Sequence, residues 1–114
     1  MLLYAGIAAH TVNAQEPDPK EFTPPGYAFC GWQDFATGDW VMQWREDLGG
    51  AYMVAFAVGM SCSAAQRNVE RASSGRRPRR PGYRCRILKE GHEFLDVRCI
   101  HRSGKRKFRY QTGA

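Results

Sequence analysis

Four cysteines, Cys30, Cys62, Cys85 and Cys99, constrain this chain more than any other feature. An even count in 114 residues reads as two disulfides formed in an oxidising compartment, whereas the same residues in the cytosol would point first to metal. Gaps of 32, 23 and 14 residues supply no C-x-x-C knuckle, and no His-x-x-x-His pair accompanies them. Three connectivities are open to four cysteines. A hairpin centred on His92 would set Cys85 opposite Cys99 and Ile87 opposite Val97, leaving Cys30 for Cys62; Cys62–Cys85 with Cys30–Cys99 is the rival pairing. Either pattern closes loops worth about 3 kcal/mol each in the chain-entropy description.

The amino-terminal residues bear on the same compartment. Residues 1–9 are an apolar run too short for a bilayer, which needs about 20 residues, but long enough for the core of a signal peptide. Val12-Asn13-Ala14 then offers small or β-branched side chains before a cut ahead of Gln15, so residues 1–14 are expected to be a signal-peptide remnant. No Lys or Arg precedes the run, which leaves a start farther upstream, or an ordinary buried segment, as alternatives. Residues 15–26 hold four of the six prolines and are expected to form an acidic linker or extended arm. The other long apolar stretch, residues 51–60, is too short to span a membrane, so no span is expected in the mature chain.

Residues 26–32, 39–46 and 51–60 read as strands, the second placing Trp40, Met42 and Trp44 on one face. In the third, Tyr52, Val54, Phe56, Val58 and Met60 alternate with small residues, as in a central strand covered on both sides. Residues 61–74 read as the one helix, capped by Ser61 or by a Ser63–Gln66 box, with Cys62, Ala65, Val69 and Ala72 on its buried face and Gly75 closing it in a left-handed conformation. Strands over 83–89, 94–102 and 105–112 complete an α+β fold, a small and mostly antiparallel sheet of about six strands with one helix packed on it. A single disulfide-stapled domain over residues 27–112 is the expected unit.

Charge is segregated along this chain. Residues 1–66 carry Lys20 and Arg45 against seven Asp or Glu, a formal net of −5, and residues 67–114 carry fifteen Lys or Arg against four acids, a net of +11. Hydrophobic residues at 43% and charged residues at 25% exclude a fully disordered chain, a collagen-like repeat and a membrane bundle. With Cys85, Ile87, Val97, Cys99, Phe108 and Tyr110 turned to the core, Arg84, Arg86, Arg98, Arg102, Lys105, Lys107 and Arg109 are expected on the opposite face. Before them, Arg76, Arg77, Arg79 and Arg80 stand on a proline-stiffened loop. Such a surface attracts phosphates, sulfates or carboxylates, and Arg favours paired planar contacts with them. The blander reading is a solvating surface that also guards strand edges. Solvation needs no segregation of sign, so the expected partner is an anionic polymer, nucleic acid among the candidates, or an acidic protein surface. A third reading pairs the basic face with the acidic arm, within one chain or in a dimer.

Trp32, Trp40 and Trp44, with Tyr27, Phe29 and Phe35, would make a stacking platform for sugars or bases. A small domain needs bulky core residues, and the core reading takes precedence. His92, Glu93 and His101 have the ingredients of metal-free RNA cleavage, with Arg to stabilise the phosphorane. The expected register holds the two histidines nine residues apart, roughly 30 Å of strand. No Ser-His-Asp order, Gly-rich phosphate loop or cofactor motif is present, so no catalytic residue, metal or cofactor is assigned. A small secreted nuclease built on these residues is one alternative function, and an accessory subunit docking on an acidic extracellular assembly is another.

The order Cys30-Gly31, an apolar strand, Ser61-Cys62-Ser63-Ala64-Ala65, a basic loop, Gly82-Tyr83-Arg84-Cys85, Val97-Arg98-Cys99 and Phe108-Arg109-Tyr110 resembles a group of small exported proteins of high-GC Gram-positive bacteria, mostly without assigned function. The resemblance implies export, a compact α+β fold and disulfide roles for the four cysteines, and no activity. The three Trp residues and the Arg-Arg-Pro-Arg-Arg-Pro loop stand outside the shared pattern.

Overall fold

The computed structural model describes residues 17–48 and 51–113. The segment read as a signal remnant, residues 1–14, lies outside the described residues, as do the first two residues of the arm. The chain runs through α1 (Pro19–Phe22), β1 (Ala28–Gln33), β2 (Trp40–Val41), a 3-10 turn (Glu46–Leu48), β3 (Tyr52–Val58), α2 (Cys62–Ala72), β4 (Tyr83–Gly91), β5 (Phe94–His101) and β6 (Lys107–Gly113). Six strands form one sheet in the order β2-β1-β3-β6-β5-β4, antiparallel at every junction. The α+β architecture is the expected one, with α2 carrying the chain from the middle of the sheet to its far edge.

β3 is central because both of its faces are apolar and unlike in size. Ala55 and Ala57, beside Met53, are small enough on one side to let α2 lie flat, and there Ala65, Val69 and Ala72 join Val97, Cys99, Phe108 and Tyr110 in one cluster. On the other side Val54 and Phe56 join Trp32 and Leu48, with Trp44 and Tyr52 at the margin. Burying side chains of this size stabilises by about 1.5–3 kcal/mol each. Ser61 caps α2 by accepting from the Ala64 N–H at 3.1 Å. The Ser63–Gln66 box does not form, because Gln66 Nε2 donates instead to the Cys30 carbonyl at 2.8 Å. Gly75 does not close the helix in a left-handed conformation either. The cap is Ser73, right-handed at φ −92°; its hydroxyl and that of Ser74 donate to the carbonyls of Val69 and Arg71 at 2.7 and 2.9 Å.

Two other expectations are corrected. The strand expected over 39–46 survives only as Trp40–Val41, because its two tryptophans serve opposite layers. Trp40 packs on the α2 side and donates to Glu70 Oε2 at 2.9 Å, whereas Trp44 meets Trp32 at 5.5 Å and Tyr52 at 5.7 Å on the other. A continuous strand would hold both on one face. The proline-rich arm is not wholly extended: Asp18 caps one helical turn that begins at Pro19, where a missing N–H costs nothing, and delivers Phe22 onto Phe29, Trp32 and Phe56. The Trp residues are packing residues, with Trp32 buried and Trp40 and Trp44 half-buried.

Both disulfides follow the preferred pairing, Cys30–Cys62 and Cys85–Cys99. Cys85 pairs with Cys99 and Ile87 with Val97, but beyond Ile87 the ladder slips by one, so that Lys89 faces Asp96 and Gly91 faces Phe94. A bulge at Leu88 thus reconciles a two-residue His92-Glu93 turn, with Glu93 at φ 60°, with the register the disulfide requires. Two such bridges suit an oxidising, extracytoplasmic setting. Among the described residues no helix is long and apolar enough to cross a membrane.

Candidate anion-binding surface

The Cys85–Cys99 bridge sets the phase of the last three strands. Cys85, Cys99 and Phe108 stand in one cross-strand row on the α2 side, so the residues on either side of them point to the opposite, outer face. One outer row reads Arg86–Arg98–Arg109 and the next Arg84–Ile100–Lys107. Neighbouring strands lie about 4.8 Å apart, and like charges directly opposite destabilise a sheet. Relief comes at one end only. Asp96, 5% exposed, receives Arg109 Nε and Nη2 at 2.9 and 2.7 Å, and Gln111 Nε2 donates to it at 3.3 Å. Hydrogen bonding to Asp96 raises the Arg109 pKa above its ordinary value. Among the described residues Arg84, Arg86, Arg98 and Lys107 have no carboxylate within ion-pair distance. Burial raises the Tyr27 phenol above its usual pKa, against the opposing charges of Arg109 and Arg98.

At the β5–β6 end the face runs into a groove of about 500 Å³ lined by Gly82, Tyr83, Arg84, Ile100, His101, Arg102 and Gly104. His101 Nδ1 accepts from the Ser103 N–H at 3.2 Å, and Arg106 Nη2 lies 2.9 Å from Nε2. Partial desolvation, with the guanidiniums of Arg106 and Arg102 alongside, lowers the His101 pKa below its usual value. Lys105 is exposed in the same turn.

The sequence-predicted cations are therefore divided. Arg84, Arg86, Arg98, Lys107 and Arg109 share the outer face, with Arg102 and Lys105 at its end. Arg76, Arg77 and Pro78 lie with Cys85, Ile87 and Glu90 along a groove on the α2 side of β4. Arg80 Nε is tied to Asn68 Oδ1 at 2.8 Å, and Arg79 is exposed. The loop and the sheet face flank the edge strand from opposite sides and do not form one plane. Sequence reasoning missed Arg106, whose place between Lys105 and Lys107 was the available signal. His92 and His101 sit at opposite ends of the β4–β5 hairpin and do not make a two-histidine site.

Fold and site together define a disulfide-stapled α+β domain with a cationic half-sheet. The chain matches no protein-family model, no characterised protein and no solved structure.

Proposed function

We propose that this protein is a non-catalytic exported domain whose outer β4–β5–β6 face binds an anionic polymer. The reading rests on the Arg86–Arg98–Arg109 row, three guanidiniums in direct register with a single carboxylate among them. Two like charges about 5 Å apart repel by about 1 kcal/mol even in water, so an anion laid along the row removes a cost the fold otherwise carries. The groove with Arg84 and Arg102 extends the same strip. Two disulfides support an extracytoplasmic site of action.

The test is a gel-shift assay of the oxidised protein with labelled single-stranded RNA across a salt series, scoring mobility and strand integrity. A salt-sensitive shift with intact RNA supports polymer binding. Cleaved RNA would instead favour a nuclease, and no shift at low salt would leave docking on an acidic protein as the use of the face.

A further inference from the structure

Neither disulfide crosses the loop between α2 and β4: Cys30–Cys62 lies wholly before it and Cys85–Cys99 wholly after it. The loop presents four arginines, of which Arg76, Arg77 and Arg79 are exposed. Bonds after Arg77 and Arg80 are followed by proline, whose ring and missing N–H disfavour the extended fit a serine endopeptidase requires. That leaves Arg76–Arg77 and Arg79–Arg80. The second is pinned from three directions, since the Arg79 N–H donates to the Ala72 carbonyl at 3.2 Å, the Arg80 carbonyl accepts from the Tyr83 N–H at 3.0 Å and Arg80 Nε holds Asn68 at 2.8 Å. Among the described residues, Arg76 and Arg77 make no hydrogen bond or ion pair. Exposed backbone free of such ties is where endoproteolysis concentrates.

We propose that Arg76–Arg77 is a processing site for an endopeptidase that cuts after arginine. Water adds across the bond: the Arg76 carbonyl carbon gains the oxygen and ends as a carboxylate, and the Arg77 nitrogen gains the proton and becomes a new amino terminus. Charge divides at the same point. Residues 1–76 carry five Lys or Arg against eight acids, a net of −3, and residues 77–114 carry twelve against three, a net of +9. The second piece is the meander β4–β5–β6 with its own disulfide and the whole arginine row. Seven β3–β6 register pairs and the packing of α2 on β6 hold the cut protein together without a covalent link. Processing therefore converts one chain into two oppositely charged pieces joined by non-covalent contacts alone.

The experiment is brief digestion of the oxidised full chain by an arginine-specific serine endopeptidase, followed over time by mass spectrometry without reduction. The first products should end at Arg76 and begin at Arg77, co-elute in native buffer and separate in denaturant without reductant. R76Q/R77Q should slow that cut by about tenfold or more, while R67Q on the exposed face of α2 should not. First cleavage in the Lys105-Arg106-Lys107 turn, no cut at Arg76, or an unslowed double variant would each overturn the proposal.

Discussion

Tyr110 is buried to 1% exposure, and its hydroxyl has no hydrogen-bond partner among the described residues. A buried hydroxyl without a partner costs about 1–3 kcal/mol, so Tyr110→Phe is expected to leave stability unchanged or raise it by about 1 kcal/mol in urea unfolding at pH 7. Burial pushes the Tyr110 pKa up to about 12 from an ordinary 10.0. An acid whose folded pKa is raised keeps its proton in the fold after the unfolded chain has released it, so stability falls as pH rises from the ordinary value toward the raised one. Comparing unfolding midpoints at neutral and strongly alkaline pH should show that fall in the parent protein and a smaller one in Tyr110→Phe. Asp96 presents the opposite case. Asp96→Asn strands the half-buried Arg109 without its counter-charge and is expected to cost about 2–3 kcal/mol. The same change adds one positive charge to the row, so the folded variant should bind RNA more tightly at low salt in the gel-shift assay.

At the scale of elements, the β4–β5 hairpin shows how one residue sets a face. Without the bulge at Leu88, the two-residue turn would pair Cys85 with Ile100 instead of Cys99. Deleting Leu88 removes that extra residue and is therefore expected to keep Cys85 opposite Cys99 on a continuous ladder, which peptide mapping of the non-reduced protein would detect as an intact Cys85–Cys99 link. Gly59 after β3 is as demanding: its φ is +72°, and a Cβ there would run into the Lys105 carbonyl oxygen. Gly59→Ala should lower stability by more than about 2 kcal/mol in the same urea assay. Period-two alternation made β3 and the facing of β4–β6 legible, and α2 was legible from its capping serine and small-residue stripe. β2 was not, because alternation predicts facing only while the chain stays extended. Nothing local in Trp40-Val41-Met42-Gln43-Trp44 reveals that its tryptophans are claimed by different layers.

For the whole molecule, the segregation of charge was legible from composition, and so was the cysteine pairing once a hairpin register was assumed. The division of the cations was not. A sequence places Arg76–Arg80 next to Arg84 and Arg86, yet the loop runs along the α2 side of β4 while those side chains project from the other. Only the path of the connection from α2 decides this. Nor does alternation disclose which arginine is neutralised, because Asp96 reaches Arg109 diagonally across two strands. Both bridges together should make the oxidised protein about 4 Da lighter than the reduced one in intact mass, two hydrogens being lost per disulfide.

The measurement that tests the central claim most directly is the salt dependence of duplex-DNA affinity for the parent protein and R86Q/R98Q. If about five phosphates meet Arg84, Arg86, Arg98, Arg102 and Lys107, the log–log slope should be about −4.5 in the parent and about two units shallower in the double variant, with unfolding midpoints unchanged. Equal slopes for the two proteins, or an affinity indifferent to salt, would contradict the assignment of this face as an anion-binding surface.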